Sequence, residues 1–187
     1  MMLGSLRIFD TVFSIFGLLC ASPVLLLVLT LGVFSGVHPI FRQERLGSNK
    51  VPFVLFKFRT MALKTPSLPS HLVSDHSITR LGGFLRRTKL DELPQLWNVV
   101  KGDMSLVGPR PGLPNQFELT EARERLGVFK VRPGITGLAQ VSGIDMSTPE
   151  LLAQTDARMI AEMSVFNYFK YIFLTVLGKG SGDRIRS

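Results

Sequence analysis

The sequence has a single cysteine, Cys20, in 187 residues. One thiol can neither close a disulfide within the chain nor build a cysteine-based metal site, and such usage fits a reducing compartment. Acidic residues are also scarce, 14 against 22 basic ones, which gives a net charge of +8 and a pI near 10.2. That balance suits nucleic acid, an anionic membrane surface or a phosphorylated substrate. No zinc-finger, RRM or KH signature occurs, and basic and aromatic residues rarely interleave, so nucleic acid is not the expected partner. No internal repeat is present.

A third absence is local. Residues 11–37 carry no charge at all, and this run holds the excess behind a 45% hydrophobic composition and a mean hydropathy of +0.27. A cleaved signal peptide is a poor reading: the apolar core is too long and no small-x-small site precedes a polar start. Leu19, directly before Cys20, argues against a lipoprotein signal. A single spanning helix needs about 20 apolar residues, which the run supplies. The third reading is a re-entrant hairpin broken at Ser22-Pro23. Proline lacks an amide donor and kinks a helix, and the Ser22 hydroxyl can bond a freed carbonyl. The arms, 11–21 and 24–35, reach roughly 16–18 Å each at 1.5 Å per residue, short of a core of about 30 Å. Arg7 lies before the run and Arg42 and Arg45 after it, which places both ends on the cytoplasmic face. The residues alone leave the kinked spanning helix and the hairpin open.

The remainder reads as one ordinary domain. Alternation over residues 53–61 predicts a strand with Phe53, Leu55, Lys57 and Arg59 on one face and Val54, Phe56, Phe58 and Thr60 on the other. Two cations ending an apolar face mark either a strand end entering water or a phosphate-facing edge. Residues 63–75 read as a surface loop. Helices are expected over 79–88, over 92–100 with Gly102 closing it, and from Pro149 to about Met163. Residues 108–111 and 132–137 read as rigid turns. A last helix, 165–177, places Phe166, Phe169, Ile172, Phe173 and Val176 on one stripe. It is either a core helix or one lying on a membrane interface beside the basic Lys179, Arg184 and Arg186.

The chemistry centres on Asp91-Glu92 in Leu90-Asp91-Glu92-Leu93-Pro94-Gln95-Leu96. Pro94 is expected in the first turn of its helix, which puts Asp91 at or near the N-cap. Capping alone would explain both acids. The functional reading uses the same place: a helix N-terminus binds phosphate, and a carboxylate there sits beside it. Arg86, Arg87, Lys89, Lys101 and Arg110 supply the cations that such a site needs, and Mg²⁺ is typically held by carboxylate and phosphate oxygens. Phosphoryl transfer with an aspartate nucleophile fits this set, with a lipid-soluble acceptor to use the apolar segment. The rival readings are a basic lipid-binding module without catalysis and a membrane-bound phosphohydrolase.

The runs Lys57-Phe58-Arg59-Thr60-Met61, Leu90 through Val99, Lys101-Gly102-Asp103-Met104-Ser105-Leu106-Val107-Gly108-Pro109-Arg110-Pro111 and Arg132-Pro133-Gly134-Ile135-Thr136-Gly137-Leu138-Ala139-Gln140 resemble the bacterial sugar transferases, the monotopic phosphoglycosyl transferases. The resemblance covers nearly the whole chain, Ser22-Pro23 included. It implies an α+β fold: a re-entrant, Ser-Pro kinked membrane helix over 1–40, then a compact, mainly helical cytosolic catalytic domain over 41–187 with a small sheet and interfacial amphipathic helices. It implies a bacterial inner-membrane enzyme facing the cytoplasm that moves a sugar-1-phosphate from a UDP-sugar to polyprenyl (undecaprenyl) phosphate and releases UMP. This is the first membrane step of glycoconjugate synthesis. Asp91 would be the nucleophile and lie near a required Mg²⁺. Glu92 would be a base for the lipid phosphate or would help hold the metal. Lys57, Arg86 and Arg110 match positions used around the phosphates, and Asp156 matches a C-terminal acidic position. Together with Arg59 at the strand edge, these are the expected phosphate- and nucleotide-binding residues. The chain departs from the family pattern at His38-Pro39, at Ser77 and at Ser142-Gly143-Ile144-Asp145; the last two bear on substrate identity. Without the extra N-terminal spans of longer members, a minimal form is expected. The sequence does not name the transferred sugar, and an N-acetylated one is only a guess.

Overall fold

The structure, a computed structural model, describes residues 2–34, 38–62 and 78–180. The expected loop at 63–75, Ser77, and Arg184 and Arg186 lie outside them. Helix α1 spans Met2–Phe34 and runs through Pro23 as one element instead of two separate arms. Proline at 23 removes the amide that would bond the carbonyl of residue 19. The Ser22 hydroxyl donates to that Leu19 carbonyl at 2.8 Å, so the broken rung is refilled from the side chain.

Strands β1 (Ile40–Leu46) and β2 (Pro52–Phe58) form an antiparallel hairpin, with Arg42 opposite Phe56 and Gln43 opposite Leu55. β1 is an element that the sequence reading did not contain. The strand expected over 53–61 ends at Phe58; beyond it Met61 makes an isolated bridge to Ile78. Helix α2 (Arg80–Arg87) starts at Thr79, whose hydroxyl caps the Gly82 amide at 2.9 Å. Gly82 is required by packing: a methyl group there would collide with the Thr60 backbone.

A 3-10 turn (Leu90–Glu92) leads to α3 (Gln95–Lys101), which Gly102 closes at φ 95°. β3 (Ser105–Val107) pairs in parallel with β4 (Gly134–Thr136), and α4 (Phe117–Arg125) lies in the connection between them. The expected turn at 132–137 thus contains a strand, because a parallel partner supplies hydrogen bonds that local sequence does not reveal. Then follow α5 (Leu138–Val141), α6 (Pro149–Ala161) and α7 (Val165–Val176). Seven helices and two two-stranded sheets among the described residues make the α+β class.

Asn98 joins α3 to the hairpin. Its side chain accepts from the Phe56 amide at 3.1 Å and donates to the Val54 carbonyl at 2.7 Å, filling the open edge of β2. The base of α1 is pinned by two polar residues. Arg7 donates to the Val99 and Val100 carbonyls at 2.7 and 3.0 Å, and so caps the end of α3. Asp10 is buried and accepts from Ser105 Oγ, the Leu106 amide and the Tyr168 hydroxyl at 2.9, 2.8 and 2.7 Å. Burial and that bond to Asp10 push the Tyr168 hydroxyl well above its ordinary pKa.

Apolar clusters follow the same junctions. Leu6 packs with Val107, Met159, Tyr168 and Tyr171, while Val28 packs with Phe58 and Leu85. Both ends of α1 are therefore seated on the same domain. The rest of its surface stays apolar and open, with Phe16, Leu19, Leu26, Leu27 and Phe34 exposed. On α7 the buried residues are Tyr168 and Tyr171, whereas Phe166, Phe173 and Val176 are 75%, 62% and 79% exposed. The phenylalanine stripe is thus not a core face. Phe169 meets Phe9 and Phe13 of α1 edge-on, which joins the two apolar surfaces.

Candidate active site

Asp91 and Glu92 belong to the 3-10 turn, separate from the seven-residue α3. The expected helix over 92–100 therefore starts later, and Asp91 is not its cap; Pro94 occupies the N-cap position. Lys89 causes the difference. It takes a left-handed conformation, φ 57°, which turns the chain just before the acids. A non-glycine residue in that region stores strain, a feature common at functional sites.

The turn places Asp91 inside, 8% exposed, and Glu92 at the meeting point of two cations. Glu92 Oε1 accepts Arg110 Nη2 at 2.9 Å and Lys57 Nζ at 3.4 Å. β2 delivers Lys57 from its buried face, as the alternation predicted, and the Pro109-Arg110-Pro111 turn delivers Arg110. Lys89 reaches the Lys179 carbonyl at 2.7 Å, just past the end of α7. Burial lowers the pKa of its ammonium; Glu92 pulls it up and Arg110 pushes it down. Arg86, in the last turn of α2, donates to Thr60 Oγ1 at 2.9 Å near the end of β2.

Two expected residues are engaged elsewhere. Arg59 donates to the His38 carbonyl at 3.0 Å and stacks over Phe41, so it clamps the chain leaving α1. Asp156 is fully buried on α6 and pairs with Arg123, whose Nε and Nη2 meet Asp156 Oδ2 at 3.0 and 2.6 Å. Burial raises the Asp156 pKa, against the attraction of Arg123. Arg123, Asn98, Asp10 and Arg45 are the structural partners that sequence reasoning did not find, because each acts through residues distant in the chain. A cavity of about 650 Å³ lies apart from the acids, walled by Asp10, Phe53, Gly102, Asp103 and Arg132, with none of the seven expected site residues in its lining.

Among the described residues no group of three or more His, Cys, Asp and Glu side chains could hold a metal ion. Mg²⁺ is commonly held by one or two carboxylates with phosphate oxygens of a substrate completing the shell. Asp91 fits that donor set, with adjacent Glu92 as the second carboxylate. The cations around Glu92 would receive phosphate oxygens by charge-assisted hydrogen bonds.

The model of the family described as "Bacterial sugar transferase" matches residues 3–179. "Uncharacterized sugar transferase EpsL" of Bacillus subtilis is 39% identical over 172 residues, 91% of this chain and 84% of that protein. The "UDP-glucose:undecaprenyl-phosphate glucose-1-phosphate transferase" of Caulobacter vibrioides is 38% identical over 180 residues, 91% of this chain and 67% of that protein. The Escherichia coli protein of the same name is 38% identical over 179 residues, 89% of this chain but 38% of its own length. The chain thus spans well under half of the longer relatives. Matched over nearly its full length, the chain belongs to the bacterial sugar transferase family.

Proposed function

We propose that the protein is a phosphoglycosyl transferase that moves a sugar-1-phosphate from a UDP-sugar to undecaprenyl phosphate and releases UMP. One observation carries this reading: a buried aspartate stands next to a glutamate on which a lysine and an arginine converge, in a fold with a large open apolar surface. A plain lipid-binding module has no use for a buried acid among cations. The names of the relatives point to UDP-glucose as the first donor to test, ahead of an N-acetylated one.

In the first half-reaction an Asp91 oxygen attacks the β-phosphorus of the donor. The bond from that phosphorus to the oxygen bridging the two phosphates breaks, and UMP leaves with the electron pair. An oxygen of undecaprenyl phosphate then attacks the same phosphorus and releases the Asp91 carboxylate, giving the lipid diphosphate sugar. Arg110 and Lys57 neutralise charge that grows on the phosphoryl oxygens. Glu92 orients both cations through Oε1. Mg²⁺, held by Asp91 and the donor phosphates, would supply further charge neutralisation for the leaving UMP.

The lipid acceptor fits a membrane-embedded chain. Within α1, Leu6–Phe34 is long and apolar enough to cross a bilayer by length and composition. A crossing would send its two ends to opposite faces, yet Leu6 and Val28 both pack on the one domain. This supports a re-entrant course for residues 1–40, with α7 lying at the interface and the domain of residues 41–187 at the cytoplasmic face. The outward phenylalanines of α7 continue the apolar surface of α1.

The test supplies UDP-glucose, UDP-galactose and UDP-N-acetylglucosamine with Mg²⁺, with and without undecaprenyl phosphate. It reads UMP and lipid product for the wild type and Asp91→Asn. UMP and lipid product that both vanish in the variant, and a trapped phospho-sugar on Asp91, are expected. Full turnover without the lipid would identify a hydrolase instead, and no turnover with any donor would leave the binding module.

A further inference from the structure

The turn that presents Arg110 has few handles. Pro109 and Pro111 fix φ locally, but neither has an amide to donate, so the turn can be secured mainly through its carbonyls. Four successive carbonyls are in fact taken, the first being that of Pro109, which accepts the Gly134 amide at 2.8 Å. The Arg110 carbonyl accepts Arg123 Nη1 at 2.8 Å, the Pro111 carbonyl accepts Arg45 Nη1 at 3.0 Å, and the Gly112 carbonyl accepts the Leu46 amide at 3.0 Å. Two of the four donors are buried guanidinium groups, one from α4 and one from β1, and they are the side-chain donors of the set.

Each guanidinium is itself oriented from behind. Asp156 Oδ2 takes Nε and Nη2 of Arg123, and Gln43 Oε1 takes Nε and Nη2 of Arg45 at 3.1 and 2.6 Å. These forks use the planar geometry that distinguishes arginine from lysine. As a stability device the arrangement is poor. Burying an ion pair costs about as much as its attraction returns, and Asp156 Oδ1 is left buried without a hydrogen-bond partner. Its value lies in geometry: it sets where the Pro-Arg-Pro turn stands relative to the acids.

We infer that Arg45 and Arg123 are positioning residues that hold the turn so that the Arg110 guanidinium faces Glu92, with Asp156 and Gln43 aiming them. They touch the main chain of the turn and act on substrate only through the Arg110 side chain. The inference rests on the reading of Arg110 as a group that handles the donor diphosphate, and it gives Asp156 a place behind the turn in place of the expected substrate contact.

The test is a double-mutant cycle on the full chain in detergent, with UDP and Mg²⁺ as the probe and its dissociation constant from calorimetry as the readout. Arg45→Gln and the paired variant Arg123→Met with Asp156→Leu are each made in the wild type and in the Arg110→Ala background. The paired variant removes both buried charges together, so that it folds without a stranded ion. Each change is expected to weaken UDP binding about tenfold in the wild type and to add no loss once Arg110 is gone, as coupled residues do. Equal weakening in both backgrounds overturns the inference, since it means a general structural role. UDP binding unchanged by Arg110→Ala overturns instead the reading of Arg110, and the inference falls with it. Should Arg45→Gln fail to fold, Arg45→Lys replaces it; a single ammonium cannot grip both Gln43 and Pro111 as the fork does, so the same tenfold loss is expected, and its absence counts against the inference.

Discussion

Arg110 Nη2 and Glu92 Oε1 stand 2.9 Å apart in a site largely shielded from water, and Lys57 meets the same oxygen from β2. An ion pair of this kind keeps a cation pointed at its place before substrate arrives, so little reorganisation remains at the moment of reaction. Arg110→Ala is expected to lower kcat/KM by about 100-fold. Arg110→Lys should recover only part of that, because a point charge cannot bond in a fork. Steady-state UMP release measures both, and an unaltered rate for the alanine variant removes Arg110 from the site.

On the proposed re-entrant reading, the course of α1 depends on a Ser22-Pro23 kink and on pins. Ser22 satisfies the Leu19 carbonyl that Pro23 abandons, while Arg7 and Asp10 hold the base of the helix on α3, β3 and α7. Pro23→Ala restores an amide and favours a straight helix, but it leaves the pins in place. It is therefore expected to keep the N-terminus inside, and adding Asp10→Leu should release it. The readout is labelling from the periplasmic side of a cysteine placed by Ile8→Cys, with Cys20→Ala to remove the native thiol. Labelling of Pro23→Ala by itself would show that the kink, not the pins, sets the topology.

Local signals were readable and distant partners were not. Thr79 capping α2, Pro149 opening α6 and the alternation that buries Leu55 and Lys57 are all encoded within a few residues. β1 was hidden because Arg42, Glu44 and Arg45 break its apolar pattern, although Arg45 is buried for a purpose set by Pro111. α4 was hidden because its sequence is polar and its buried Arg123 finds Asp156 33 residues away. The motif pointed to Asp91, Glu92, Lys57 and Arg110, and the fold brings the last three together. It could not show that Lys89 would reverse the chain and detach the acids from α3, or that Arg59 would be spent on the His38 carbonyl.

Asn98 offers a direct check on how α3 is held. It is the partner of both the Val54 carbonyl and the Phe56 amide, and its side chain also donates to Asp103 Oδ2 at 3.1 Å. Asn98→Ala strands two backbone groups on the edge of β2, a loss of about 3 kcal/mol. The variant should melt several degrees below the wild type in detergent and lose activity in proportion to its unfolded fraction. Asn98→Asp should be as damaging, because a carboxylate cannot donate to the Val54 carbonyl. A melting point equal to the wild type's for either would mean that the edge of β2 is satisfied in another way.

The buried Asp156 gives a pH dependence with a definite sign. Its pKa in the folded protein is raised by burial, which outweighs the pull of Arg123. In the unfolded chain an aspartate titrates near its ordinary value of about 3.9. The folded state therefore binds this proton more tightly than the unfolded one. The contribution of the group to stability is fully present below that value and is lost as pH rises through the folded pKa. Asp156→Asn has no such titration, so the comparison isolates it. The stability of the wild type relative to Asp156→Asn should fall as pH is raised from about 4 toward neutrality, measured by denaturation at matched ionic strength. A difference that grows over the same range would show that the charge of Arg123 dominates and that Asp156 stays ionised in the folded protein at acid pH.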